Sequence, residues 1–299
     1  MTTQRQIAIF GLGSMGYGMG VSLLRAGHAV FGFDVNAAQV ERFKGDGGRS
    51  GAVAEVAGAL DIAVVVVLNG AQLASVLFGE NGLAPHMRAG SVVVACPTVA
   101  PSFARDMARR CADLGLHYLD APISGGAAKA AEGKLSIMAS GSPDAFRTAR
   151  PALDAMSETV FELGDEPGAG SALKAVNQLL AGVHIAAMAE AVTFAMTQGV
   201  SPATTVDVIS KCAGTSWMFE NRAPHIVDGD YTPRSAVDIW LKDLGIVLDI
   251  AREAKFGAPL TAAALQQFAA ASGSGLGRED DAAVAKVYAR NAGLKLPGE

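Results

Sequence analysis

The feature that most narrows what this chain can fold into is the hexapeptide Gly11-Leu12-Gly13-Ser14-Met15-Gly16, set between an apolar β-type run, Ile7 to Phe10, and a helix-length amphipathic stretch. A strand before it and a helix after it make three glycines at this spacing a ligand cradle. The backbone can turn tightly and come close to a bound group, and free N–H groups at the helix N-terminus can hold a pyrophosphate. The second half of that fingerprint is Asp34, which ends the next apolar run, Ala29 to Phe33. An acid at that separation accepts hydrogen bonds from ribose hydroxyls. It also repels a 2′-phosphate, and Val35-Asn36-Ala37-Ala38 supplies no arginine to offset this, so NAD is expected over NADP. The expected cofactor residues are thus Gly11, Leu12, Gly13, Ser14, Met15, Gly16 and Asp34.

The rest of the first half repeats the same alternation. Ile62–Leu68, Val92–Ala95 and His117–Leu119 read as further strands with helical segments between them, which implies a parallel sheet. Leu135–Ala139 and Thr159–Glu162 read as two more strands extending that sheet, around a helix opened by Ser142-Pro143. At Gly164 the pattern changes to a breaker-rich stretch, and strand signals cease. The expected architecture is an α/β Rossmann-type N-terminal domain with a mostly parallel sheet over residues 1–164. An all-α C-terminal domain over 165–299 follows, entered by a long interdomain helix, Ala169–Thr197. Further helices are expected from Ser201-Pro202, across Val237–Lys255, from near Pro259 and after Glu279-Asp280-Asp281, with Gly273–Gly277 a surface loop. Leu179–Met196 is apolar enough to resemble a membrane span, but His184 and Glu190 interrupt it, and it is read as a buried helix.

Composition excludes several classes of partner. Half of the 299 residues are apolar, 18% are charged and the mean hydropathy is +0.29, which suggests surfaces shared between subunits of a homo-oligomer, dimer or tetramer. A net charge of −5 with no basic run argues against nucleic acid. Cys96, Cys111 and Cys212 form no C-x-x-C pair, so neither a disulfide framework nor a zinc site is expected. His28, His86, His117 and His225 have no spaced partner for a metal. With no export signal evident, the expected location is the cytoplasm, with no membrane partner.

Four motifs in order, Gly11 to Gly16, Asp120-Ala121-Pro122-Ile123-Ser124-Gly125-Gly126, Gly168-Ala169-Gly170 through Lys174, and Lys242-Asp243-Leu244, resemble those of the β-hydroxyacid dehydrogenase family, end to end. The resemblance implies NAD-dependent oxidation of a small hydroxy acid by hydride transfer. It implies that Ser124, Gly125 and Gly126 bind the substrate carboxylate, and two glycines after a serine would indeed free several N–H donors for an anion. It makes Lys174 the catalytic general acid/base; an ordinary lysine pKa of about 10.4 would have to be lowered for that task. Where most members have an asparagine four residues after that lysine, this chain has Gln178, with Asn177 one place earlier, and either amide could take the role. Lys242 corresponds to a second lysine near nicotinamide and substrate, although Asp238 four residues earlier also permits a plain ion pair. Thr98 and Leu68 correspond to positions bordering the cofactor.

Gln178 and the run after it look most like the L-threonate dehydrogenase branch, which points to L-threonate and its 2-oxo acid. 3-Hydroxyisobutyrate dehydrogenase and tartronate semialdehyde reductase are the alternatives. A reading from a different class is a catalytically silent dinucleotide-binding scaffold, against which the retained Lys174 speaks. His184 is expected to be a packed or interface residue, and Trp217 and Trp240 to serve helix packing or a subunit contact.

Overall fold

Strands β1 (Gln6–Phe10), β2 (Ala29–Phe33), β3 (Ile62–Val65), β4 (Val92–Ala95) and β5 (His117–Asp120) form one parallel sheet in the order β2-β1-β3-β4-β5. The computed structural model describes residues 4–298. These strands are almost continuously apolar because helices cover both faces of the sheet. Ile7, Ile9, Ile62, Val64, Val92 and Val94 point into one buried layer with Met19 and Leu23. Ala8, Phe10, Ala63, Val65, Val93 and Ala95 point into the other with Leu73, Leu77 and Met107. The connecting helices are α1 (Gly16–Arg25), α2 (Ala37–Gly45), α3 (Val53–Val56), α4 (Gly70–Phe78) and α5 (Pro101–Ala112). The chain leaves β1 toward β2 and later returns to the opposite side of β1 as β3. Strand order therefore reverses there, leaving a crevice at the carboxyl ends of β1 and β3.

The next two expected strands do not extend this sheet. β6 (Ile123–Ser124), β7 (Leu135–Ala139) and β8 (Ser157–Glu162) make a separate three-stranded sheet, β6 antiparallel and β8 parallel to β7, with α6 (Gly126–Glu132) and α7 (Pro143–Met156) between them. One antiparallel bridge joins it to β5, where the Asp120 and Ser140 backbones exchange N–H···O bonds of 3.0 and 2.8 Å. Pro122 has no N–H to give, but its carbonyl accepts the Met138 amide (2.9 Å), and the pairing runs on in the same register into β6 with β7. Gly141 lets the chain pass the edge of β5, because a Cβ there would lie 2.8 Å from the Tyr118 carbonyl oxygen.

Helix α8 spans Ala169–Thr197, as expected, and the chain divides into two compact units after Lys174, ten residues beyond the anticipated boundary at Gly164. Length and composition alone would let α8 cross a membrane. The expected burial holds on one side of it only. Ile185, Met188, Ala189 and Val192 enter the core of the second unit, whereas Leu180 and Phe194 are exposed. The reason is that Ala, Leu and Val recur at every angle around this helix, so the sequence carries no polar face to contrast with the packed one.

The second unit continues with α9 (Pro202–Ile209), α10 (Trp217–Asp228), α11 (Val237–Glu253), α12 (Pro259–Ala271) and α13 (Ala285–Asn291). α10, capped by the Ser216 hydroxyl, adds to the helices anticipated. Gly273–Gly277 is no free loop. Ser272–Leu276 is a wide helical turn tied to α11 where the Ser272 hydroxyl donates to Asp238 (2.6 Å). The core is pinned by two adjacent buried carboxylates. Asp281 takes the Arg222 guanidinium (2.6 Å) and the Trp240 indole N–H (3.0 Å), and Asp280 takes His225 (2.8 Å) and the amides of Arg234 and Ala282. Trp240, stacked on Phe268, is a packing residue, whereas Trp217 is exposed.

Candidate functional site

At the carboxyl end of β1 the backbone of the glycine loop passes against β3. Gly11 has φ +95°, and a Cβ on it would sit 2.1 Å from the Val66 carbonyl oxygen, so only glycine fits. Gly13 is the opposite case: exposed, with open space where a side chain would project. α1 then begins without a side-chain cap, and its first N–H groups keep their affinity for an anion. The Asp34 carboxylate lies against the same loop, accepting from the Leu12 amide (2.6 Å) and the Asn36 amide (2.7 Å), and it stays partly exposed. Leu68 is exposed in the loop after β3, which ends at Val65 rather than at Leu68, and Thr98 is half-buried after β4. These expected cofactor residues therefore lie at the carboxyl ends of four adjacent parallel strands. The open cradle over Gly13, the uncapped helix start and the acid beside them fit a dinucleotide.

Ser124 closes the two-residue strand β6, and Gly125 (φ +136°) and Gly126 (φ +78°) turn the chain into α6. Lys174 comes to this turn from α8. It is 8% exposed, and its ammonium donates to the carbonyl of Ile123, the residue before Ser124, at 2.9 Å. A residue whose role the sequence does not disclose stands behind it. Asp120, buried at the end of β5, accepts from the Gly168 amide (3.0 Å), the Ser171 amide (2.8 Å) and the Ser171 hydroxyl (2.6 Å). Burial pushes its carboxyl above the usual range, and hydrogen bonds from Ser171, Gly168 and Ser140 reverse this only in part. The available signal is an acid at the end of an apolar strand with no lysine or arginine near it in sequence.

The second unit holds a different kind of arrangement. The Asn177 amide donates to Gln178 Oε1 (2.9 Å), Gln178 Nε2 donates to the Asp243 carboxylate, and the Lys242 ammonium donates to its other oxygen. Lys242 thus pairs with Asp243 and not with Asp238, which is engaged by Ser272. Asp243 is a second residue that sequence reasoning misses. It lies on the buried stripe of α11 with Trp240, Leu244 and Val247, and a carboxylate among such neighbours is the signal that could have found it. Of the residues outside the expected site, Glu190 accepts from the Tyr288 hydroxyl (3.2 Å). Cys96 is buried, with its thiol pushed up to about 12 by desolvation and by Asp120, so it packs as a small hydrophobe.

Comparison with known proteins covers the whole of this arrangement. The family model for the NAD binding domain of 6-phosphogluconate dehydrogenase matches residues 6–164, and the model for NAD-binding of NADP-dependent 3-hydroxyisobutyrate dehydrogenase matches residues 168–288. The chain is 50% identical over 296 residues to L-threonate dehydrogenase of Cupriavidus necator, covering 99% of each. It is 48% identical over 294 residues to L-threonate dehydrogenase of Escherichia coli K12, covering 98% of this chain and 96% of that one. A solved Salmonella typhimurium structure described as 3-hydroxyisobutyrate dehydrogenase superposes with TM-score 0.89 at 47% identity, covering 95% of this chain and all of that one.

Proposed function

We propose that this chain, which belongs to the β-hydroxyacid dehydrogenase family of NAD-binding oxidoreductases acting on CH–OH groups, oxidises L-threonate to its 2-oxo acid with NAD and with Lys174 as general acid/base. The observation that carries this reading is the buried Lys174 ammonium at the Ile123 carbonyl, one residue from Ser124-Gly125-Gly126. That turn would receive the substrate carboxylate through the Ser124 hydroxyl and backbone N–H groups. The bound nicotinamide supplies the hydride acceptor. Unprotonated Lys174 Nζ takes the proton of the substrate hydroxyl as the C–H bond breaks, and in reduction the ammonium returns that proton to the forming alcohol. Gln178, whose orientation is set by Asn177 and Asp243, and Lys242 would contact the remaining hydroxyls of a four-carbon acid.

Glycines Gly11, Gly13 and Gly16, with Leu12, Ser14 and Met15, would hold the pyrophosphate, and Asp34 the adenosine ribose. Leu68 and Thr98 would border the bound dinucleotide. Asp34 supports NAD over NADP, because a 2′-phosphate beside this carboxylate would face like charge. The apolar composition supports assembly of this chain as a homo-oligomer, and its free cysteines fit the reducing cytoplasm. A panel of L-threonate, D-glycerate and 3-hydroxyisobutyrate, each with NAD and with NADP, tests the reading through the growth of reduced-nicotinamide absorbance. L-Threonate with NAD should rank first in kcat/KM; a clear NADP preference, or 3-hydroxyisobutyrate far ahead, overturns the corresponding part. 3-Hydroxyisobutyrate is the second reading because of the Salmonella structure's description.

A further inference from the structure

The start of α8 is capped from far away in sequence. Helices ordinarily satisfy their first N–H groups with a Ser, Thr, Asp or Asn just before the first turn. Here Pro167 precedes Gly168, and the acceptors come from elsewhere. Asp120 at the end of β5 takes the Gly168 and Ser171 amides and the Ser171 hydroxyl, and the Ser140 hydroxyl after β7 takes the Gly170 amide (3.0 Å). The helix lies so close that a Cβ on Gly170 would be 2.4 Å from the Met138 carbonyl oxygen and 2.8 Å from that of Asp120. A cap supplied by a neighbouring residue would satisfy the same donors yet leave the helix free to rotate about its axis. A cap from two strands fixes its rotation against those strands. Lys174 follows Ser171 by three residues, and its ammonium meets Ile123 on β6, which pairs with β7.

We propose that Asp120 is a positioning residue for Lys174: by gripping the first turn of α8 it sets the register that delivers the ammonium to the Ile123 carbonyl beside Ser124. This rests on Lys174 being the acid/base of the reaction. The chemistry requires an ionised carboxylate, since every group that meets Asp120 here is a donor, and a negative charge is favoured at a helix N-terminus. Asparagine has the same shape but turns an NH2 toward donors, so Asp120→Asn tests charge and acceptor capacity without opening a cavity.

The experiment uses the full chain with NAD and the best substrate of the panel above. Asp120→Asn should lower kcat about 10- to 100-fold, since a misplacement on the order of 1 Å costs that much. It should move the limb of the kcat/KM pH profile that Lys174 governs by about one unit. The Kd for NADH, read by fluorescence titration, should be unchanged, and hydrogen exchange should quicken in the segment 168–176. Ser171→Ala, which keeps both amide bonds, should lose a few-fold in the same direction, and it decides the matter if Asp120→Asn does not fold. Wild-type kcat and pH profile in Asp120→Asn, with exchange quickened at 168–176, would reduce Asp120 to a structural cap and overturn the proposal. Full turnover by Lys174→Ala is the distinct result that overturns the acid/base reading itself, whatever Asp120→Asn does.

Discussion

The two units meet chemistry with different materials. In the α/β unit the candidate groups are mostly backbone: the glycine loop after β1 and the Ser124-Gly125-Gly126 turn present N–H groups, and few side chains project from either. In the helical unit they are side chains tied end to end, Asn177 to Gln178 to Asp243 to Lys242. Backbone donors recognise what hydroxy acids and dinucleotides share, carboxylate and pyrophosphate. A chain of amides and a carboxylate can change with substrate at the cost of one substitution. The difference teaches where generality and selectivity would reside.

The sharpest way to break this contrast is at a side chain of the α/β unit, that of Lys174. Lys174→Ala should lower kcat by about 10²- to 10⁴-fold, the range for loss of a general acid/base, with NADH binding retained; stopped-flow turnover and fluorescence titration read the two. Next comes Gly125→Ala. It forces a side chain onto φ +136° within 3.1 Å of Lys129, at a cost of about 1–3 kcal/mol, and should raise KM by about 5- to 150-fold. Asp243→Asn should follow with a KM about tenfold higher for L-threonate and a smaller change for 3-hydroxyisobutyrate, because it frees the Gln178 amide to turn. Equal losses on both substrates would contradict selectivity in the helical unit.

Smaller still is a contrast in acid. Asp120 has a raised pKa, so its contribution to stability is full below the unfolded value and is lost as pH rises through the folded one. Asp280 is lowered: burial alone would raise it, but the Arg234 amide, His225 and the Ala282 amide outweigh burial. Its contribution is full above the unfolded value and is lost as pH falls through the folded one. Both tryptophans, Trp217 and Trp240, lie in the helical unit, so their fluorescence should report acid loosening there, and Asp280→Asn should weaken its pH dependence.

Parallel strands buried on both faces announce themselves as apolar runs, which is why β1 to β5 and the span of α8 are legible in the amino-acid order alone. β7 and β8 are legible as strands but not as a second sheet, because the pairing of β7 with β6 and β8 and the Asp120–Ser140 bridge to β5 are tertiary contacts. The same limit applies to the site. Glycine loops and Lys174 are local patterns, whereas the partnerships of Asp120 with Ser171 and of Gln178 with Asp243 join residues 51 and 65 positions apart. No spacing rule reaches across such distances.

The unbroken course of α8 has a consequence for how such chains can vary in length. Lys174 and Gln178 stand one turn apart on one helix face, about 6 Å along the axis. Adding or deleting one residue between them would swing Gln178 by about 100° around the axis relative to Lys174, taking the two off their common face. Indels should be tolerated in the loops at either end of this helix and rejected within it, so its length is a molecular ruler that evolution can edit only by whole turns.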